Sequence, residues 1–338
     1  GAMAFSVAAC GNNSTPAGGS SANAGTSTPA ASTPASGGIE PIELTIYSPG
    51  NENSVPTKTI IEYARLVNEA SDGAITLDVH HSNELGSDAE SIESTRMGTI
   101  DLIFAGTSGF TSFYEKAKVL DLPFLFDSVE EADAALDGAG GEALGEILES
   151  TYNVHLLGIA ENGFRHITNS KHAIASKADM NGLKMRVAGS QLLNRSYELW
   201  GADYTNANWS EVFTALQTGT YDGQENPLPT ADAASIQEVQ SYLTYWTGAY
   251  DCLFFCMNAE LYNSLSPELQ AIVDEAGQAA CEYERELNRS QDQEIMDKWA
   301  EAGVEITELT PEAAAEFAEA SAPVYDEFAD ELTPELIE

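Results

Sequence analysis

Apolar residues along this chain change their spacing in a regular way from residue 42 onward. "IELTIYS" places β-branched and aromatic residues before Pro49-Gly50 and predicts a strand, and the helical spacing of Ile60, Ile61, Ala64 and Val67 predicts a helix over 55–70. "AITLDVH" predicts a second strand, 89–97 a helix, and "IDLIFAG" a third strand apolar enough to be buried on both faces. Strand, helix, strand, helix, strand implies a parallel sheet with right-handed crossovers, hence an α/β protein. "LDLPFLF" at 120–126 breaks the rhythm. Ser128 then predicts the cap of an acidic helix running toward Leu148, with "GAGG" at 138–141 as a break between helices and "VHLLGIA" as the next strand.

The second half repeats this grammar. "GLKMRV" predicts a short strand, 191–200 and 210–218 helices, and "YLTYWTGAYDCLFFCMN" one or two strands. Ser266-Pro267-Glu268 is a helix start, with Ser as cap and Pro in the first turn. The periodicity that follows predicts one helix to Ala300, about 51 Å long at 1.5 Å per residue, which would cross or flank two lobes. Strand "VEITEL" and an amphipathic helix over 311–330 end the pattern, and no internal repeat of fixed period is present.

Composition adds compartment and charge. The chain has 338 residues, enough for two domains of ordinary size. Against 54 Asp and Glu stand 14 Lys and Arg, a net charge of −40. Such acidity reads as a solvated, self-repelling surface and argues against nucleic acid or an anionic membrane surface as partner. Residues 11–38 are almost entirely Gly, Ser, Thr, Ala, Asn and Pro, too poor in apolar side chains to offset ordering entropy, so a flexible tether of about 30 Å reach is expected. Before it, Val7-Ala8-Ala9-Cys10 resembles a bacterial lipobox. Residues 1–9 read as a tag scar with a signal-peptide remnant, Cys10 as the lipid attachment site, and 10–39 as lipobox cysteine and linker. No run of apolar residues is long enough to span a bilayer. The expectation is an extracytoplasmic lipoprotein that meets the membrane only through its anchor. Cys252 and Cys256 would share a strand face, roughly 13 Å apart at about 3.3 Å per residue and too far for a mutual disulfide; either could meet Cys281, or all three could be buried thiols.

Catalytic signatures are mostly absent. The chain lacks HExxH, GxSxG, a phosphate-cradling GxxxxGK[ST], and GxGxxG after a strand. His80-His81 with Glu84 could suggest a metal, but adjacent strand residues point to opposite faces, so neither metal nor cofactor is expected and an enzyme is the weaker class. Two features stand out instead. From Arg165 to Arg195 the chain gathers Arg165, Lys171, Lys177, Lys184, Arg186 and Arg195 beside a single acid, Asp179. Further on, "SEVFTALQTGTYDGQENP" at 210–227 predicts a helix capped by Ser210, with Val212, Phe213 and Leu216 on its apolar face, ended by Gly219 and followed by a polar turn from Asp222 to Pro227. Periodicity does not explain why Gln, Glu and Asn crowd one turn before a proline.

That stretch, with "FRHITNSKHAI", "GLKMRV", "ELGSDAESIESTRMGTIDLIFAGTSGF" and "LSPELQAIVDEA", closely resembles the DctP-type solute-binding proteins of tripartite ATP-independent periplasmic (TRAP) transporters, over essentially everything from Ile42 onward. The resemblance implies a two-lobed periplasmic-binding-protein-like fold with a hinge and long lobe-spanning helices, closure around a small organic acid, and delivery to membrane permease subunits, without chemistry. It implies that Arg186 makes the bidentate contact to the ligand carboxylate, that Arg165 assists, that Asn226 reaches the same carboxylate, and that Trp209 is the pocket aromatic. A guanidinium suits this task, with parallel N–H donors that match a carboxylate and a charge kept at any relevant pH. Asn51 and Glu52, Asp88, Thr107 and Ser108 stand where open α/β sheets bind ligands and correspond to variable pocket contacts. Glu52 facing a carboxylate would repel it, which would imply a ligand amine or hydroxyl. Trp209 with Tyr250 or Phe254 would wall off an apolar group, a core role being equally open to Phe254. Thr107-Ser108 departs from sialic-acid-type members, where an acid often follows the strand, and speaks against sialate. The lobes are expected as 40–161 with about 250–290, and 162–249 with about 291–338, in a monomer. The rival readings are a ligand-sensing ectodomain of the same fold and an extracytoplasmic enzyme.

Overall fold

Local signals set the first half of the chain. In the computed structural model, which describes residues 41–111 and 113–332, β1 (Ile42–Tyr47) is followed by α1 (Val55–Ala70), β2 (Ile75–His80), α2 (Asp88–Arg96) and β3 (Leu102–Gly106). β1 pairs parallel with both β2 and β3. Ser54 caps α1, its hydroxyl accepting from the Thr57 N–H, and Ser87 opens α2 in a capping box with Glu90. Between β3 and the segment that breaks the rhythm stand the single turn α3 (Thr107–Phe110) and a 3-10 helix over Glu115–Asp121, which runs into that segment. α4 (Val129–Leu136) and α5 (Ala139–Tyr152) divide at Gly138, and β4 (Val154–Phe164) extends beyond the predicted segment. Cys10, the tether and the tag scar lie outside the described residues.

The second half supplies β5 (His166–Asn169), β6 (Lys184–Val187), α6 (Gln191–Trp200), β7 (Asp203–Asn206), α7 (Trp209–Gln217), β8 (Gly223–Asn226), α8 (Leu228–Ala233) and β9 (Tyr242–Tyr245). β10 (Tyr250–Asn258), α9 (Ala259–Ser264), α10 (Pro267–Arg289), α11 (Asp292–Glu301), β11 (Glu305–Glu308) and α12 (Pro311–Glu327) follow. Two sheets result, a five-stranded one in the order β2-β1-β3-β10-β4 and a six-stranded one in the order β11-β9-β5-β8-β6-β7. β10 is the late arrival in the first sheet, wedged antiparallel between β3 and β4.

Three expectations change. α7 begins at Trp209 with Asn208 as its cap, so Ser210 lies inside the helix. The polar turn after it is a fully buried central strand, β8, paired with β5 and β6. The long helix is two helices, broken at Ser290-Gln291. The break has a packing cause. Leu269, Val273, Ala280 and Cys281 of α10 join the core under the first sheet, whereas Ile295 and Trp299 of α11 join a cluster with Val212, Leu216 and Leu243 of the second. One straight helix cannot turn its apolar stripe to both.

Alternation along β3 and β10 builds a core on each face of the first sheet. Ile103, Ala105, Cys252, Phe254 and Cys256 face one cluster; Leu102, Phe104, Leu253, Phe255 and Met257 face the other, where Cys281 also lies. The three cysteines are free, buried thiols. Arg165 alone separates β4 of the first sheet from β5 of the second, and the chain returns through 246–249. These crossings are tied together: the Arg165 N–H donates to the Ala249 carbonyl at 2.8 Å, and the Trp246 indole N–H to the Arg165 carbonyl at 2.9 Å.

Candidate functional site

The crossings and the ends of β1, β3, β6 and β8 converge on one cavity of about 100 Å³. It adjoins a chamber of about 330 Å³, and Asp88, Ser108, Arg186, Ala188 and Trp209 border both.

Arg186 comes from β6, where alternation turns it away from the Met185 and Val187 core. Only 6% of its surface is exposed. Its Nε and Nη2 donate to the Ala207 carbonyl at 3.1 and 2.8 Å, and its guanidinium carbon sits 5.6 Å from the centre of the Trp209 ring, a cation–π contact. Among the described residues no carboxylate lies within 4.0 Å of it. Burial pulls its pKa down to about 10, with Glu225 opposing and Arg165 adding to the fall. It remains a cation at neutral pH, and its charge is poorly compensated by the protein.

Arg165 is used differently. Its guanidinium is clasped by the Glu225 and Asp251 carboxylates, and its Nη2 also donates to the Asn226 side-chain oxygen at 3.1 Å and the Glu225 carbonyl at 3.0 Å. Burial would lower its pKa, but the two acids more than offset this and hold it above the ordinary value. Asp251 also accepts from the Asn162 amide at 2.5 Å, and Asn162 accepts from the Thr230 hydroxyl at 2.6 Å. Asn226 spends one amide hydrogen on Gln224 at 2.7 Å, which leaves one toward the cavity.

Of the residues expected at a site, Arg186, Arg165, Asn226, Trp209, Asn51, Asp88 and Ser108 border this cavity. Glu52, Thr107 and Tyr250 do not. Glu52 is exposed beyond the rim, and Thr107 is wholly buried in α3. Tyr250 faces the core side of β10, against Phe126 and Phe164, and its hydroxyl donates to Glu161 at 2.9 Å. Its neighbours Asp251 and Leu253, one pleat over, face the cavity instead. Phe254 is core. Sequence reasoning missed Asp251, Glu225, Asn162, Thr230 and Ser48. Asp251 carried a signal, an acid inside the otherwise apolar run "AYDCLFF".

Half of the six local cations, Arg165 among them, are ion-paired within the protein. Lys171 pairs with Asp222 at 3.1 Å, and Arg195 with Glu198 and Glu327 at 2.8 and 2.7 Å. His80 sits between Asp78 and Glu84 while His81 turns to Ser82, so the two rings do not converge.

Residues 49–332 match the model of DctP, the bacterial extracellular solute-binding proteins of family 7. The 2,3-diketo-L-gulonate-binding periplasmic protein YiaO of Escherichia coli is 34% identical over 71% of this chain and 73% of its own. The sugar acid binding protein DctPAm of Advenella mimigardefordensis, solved with galactonate, superposes with a TM-score of 0.85 at 30% identity, covering 88% of this chain and 96% of that one. A TRAP solute-binding protein of Sulfurospirillum deleyianum, solved with succinate, superposes with a TM-score of 0.81 at 28% identity, covering 87% and 96%. This chain belongs to the DctP family of TRAP solute-binding proteins, whose members here are binding proteins of two-lobed α/β fold.

Proposed function

We propose that this protein captures a small organic acid in the cavity between its two sheets, holding the acid's carboxylate on Arg186, and hands it to the membrane subunits of a TRAP transporter without chemical change. One observation carries the reading: Arg186 is a buried guanidinium on the cavity wall with no acid partner among the described residues of a protein of net charge −40. A buried cation is costly until an anion pairs with it. A ligand carboxylate supplies that anion, Asn226 offers its remaining amide hydrogen, and Arg165, already neutralised by Glu225 and Asp251, fixes Asn226 in place.

We take the lobes as 40–161 with about 250–290 and 162–249 with about 291–338, a division supported by which strands share a sheet. Closure of one lobe on the other would turn about Arg165 and residues 246–249. The family is extracytoplasmic, and no helix of the described residues is long and apolar enough to cross a membrane. Val7-Ala8-Ala9-Cys10 supports anchoring of a monomer by acylated Cys10, which a mass spectrum of the protein made with a complete leader tests.

The test of the carboxylate site is calorimetry and thermal melting against organic acids. At least one carboxylate should raise the melting temperature, and Arg186→Ala should weaken it a hundredfold or more, since unpairing a buried charge costs about 3–5 kcal/mol. Equal affinity in the variant, or no carboxylate that binds, overturns the reading.

A further inference from the structure

Most polar groups around the cavity are already engaged. Asn51 donates its amide to the Ala233 carbonyl at 2.8 Å, Ser54 donates to Asn51, Thr230 to Asn162, and Asp251 accepts from Asn162 and Arg165. Asp88 is the exception among the acids. It is the first residue of α2, but the capping box does not use it, because Glu90 takes both the Ser87 N–H at 2.9 Å and the Ser87 hydroxyl at 2.8 Å. Among the described residues, no donor within 3.5 Å and no cation within 4.0 Å satisfies the Asp88 carboxylate, although it borders both the cavity and the adjoining chamber. Ser108 borders both with it, and the Ser48 hydroxyl on the cavity wall is buried without a partner among the described residues.

We propose that Asp88 is the selectivity residue of this site, admitting hydroxylated monocarboxylic acids of the sugar-acid type by accepting their hydroxyl protons and excluding dicarboxylic acids by repelling a second carboxylate. The inference rests on the carboxylate-binding reading of Arg186. A carboxylate can only accept hydrogen bonds, so its ligand partner must donate. Ser48 and Ser108 beside it both donate and accept, which suits hydroxyls, groups that do the same. The charges agree. Glu225 and Asp251 are spent on Arg165, so Arg186 can match one ligand carboxylate and no unpaired cation of the cavity wall is left for a second. A monocarboxylate with its anion on Arg186 leaves Asp88 a hydroxyl to hold, whereas a second anionic end arrives at an unpaired acid. Burial makes the Asp88 charge costly and pushes its pKa up, with Arg186 opposing and Asp251 adding to the rise; a ligand hydroxyl that donates to it lowers that cost, and a second carboxylate raises it. Specificity of this kind comes from a built-in clash as much as from a new contact.

The experiment compares galactonate, galactarate, succinate, hexanoate and an amino acid by calorimetry on wild type, Asp88→Asn and Asp88→Ala. Galactonate and galactarate share a hydroxylated chain and differ at one end. Wild type should favour galactonate over galactarate by at least tenfold and over hexanoate by a similar factor. Asp88→Asn should cut the galactonate-to-galactarate ratio by roughly ten- to hundredfold, the worth of a charge-assisted contact. Asp88→Ala should lose galactonate affinity as well. Both variants should melt near the wild type without ligand, since the Asp88 carboxylate has no hydrogen-bond partner among the described residues, and this checks that they fold. A wild type that binds galactarate or the amino acid as tightly as galactonate overturns the assignment, as does a ratio unchanged by Asp88→Asn. If no acid binds the wild type at all, the Arg186 reading itself falls, and this proposal with it.

Discussion

Two arginines twenty-one positions apart in the chain serve opposite ends. Arg165 is neutralised by Glu225 and Asp251, while Arg186 keeps its charge for the cavity. The cluster of cations in an acidic chain was legible in the sequence and pointed to anion binding. The division of labour was not, because the acids that neutralise Arg165 stand 60 and 86 positions away. Asp121 beneath this network was equally hidden. It is buried, one of its oxygens has no partner among the described residues, and burial lifts its pKa to about 7, with Asp251 adding to the rise and Ser190 and Arg165 opposing. Below the ordinary carboxylate pKa of about 4, Asp121 is protonated whether the chain is folded or not. Between about 4 and 7 the folded chain holds a proton that the unfolded chain has released, so stability falls as pH rises through that window. Asp121→Asn should therefore flatten the decline in melting temperature between pH 5 and 8, removing on the order of 2–4 kcal/mol of pH dependence. Parallel slopes for variant and wild type would contradict this.

At the scale of elements, helices and apolar strands follow their periodicity closely, with α1 and α6 at the predicted bounds. β8 is the instructive miss. "DGQEN" carries every local sign of a turn, yet Gly223, Gln224, Glu225 and Asn226 form a buried central strand. Its polar side chains are satisfied by distant partners: Gln224 donates to the Thr168 hydroxyl at 3.0 Å, and Glu225 also accepts from the Ala188 N–H at 3.0 Å. A strand whose side chains build the site need not alternate in hydropathy, so the usual strand signal is erased where function sits. The glycine is there for space rather than for a turn. A Cβ at Gly223 would stand 2.2 Å from the Thr168 carbonyl and 2.9 Å from the Met185 side chain. Gly223→Ala should destabilise the protein by about 1–3 kcal/mol through overpacking, seen in chemical denaturation, and should weaken ligand binding through the displaced Asn226. An unchanged denaturation midpoint would show that β8 is free to move aside.

At the scale of the whole molecule, the alternating pattern foretold two α/β units but not how they are fastened. Long-range pairings such as β10 entering the first sheet, or α12 bringing Phe317 to one core and Val324 to another, depend on contacts that no local window contains. The same holds for Asn51. Its place after β1 suggested a ligand contact, yet its amide donates to Ala233 at the end of α8, joining the first sheet's loop to the second sheet's lobe across the cavity. A single neutral hydrogen bond is worth about 1 kcal/mol, or roughly a fivefold change in an equilibrium constant. If the bond acts on lobe closure, Asn51→Ala should weaken every acid that binds by that same factor and leave the ratio between galactonate and galactarate unchanged. A residue touching ligand hydroxyls would instead shift the ratio, as Asp88→Asn is expected to do. Small-angle scattering adds an independent reading, because the variant should need more ligand to reach the compact form. A shifted ratio would make Asn51 a ligand contact after all, and uniform affinities with unchanged scattering would leave the Asn51–Ala233 bond without influence on closure.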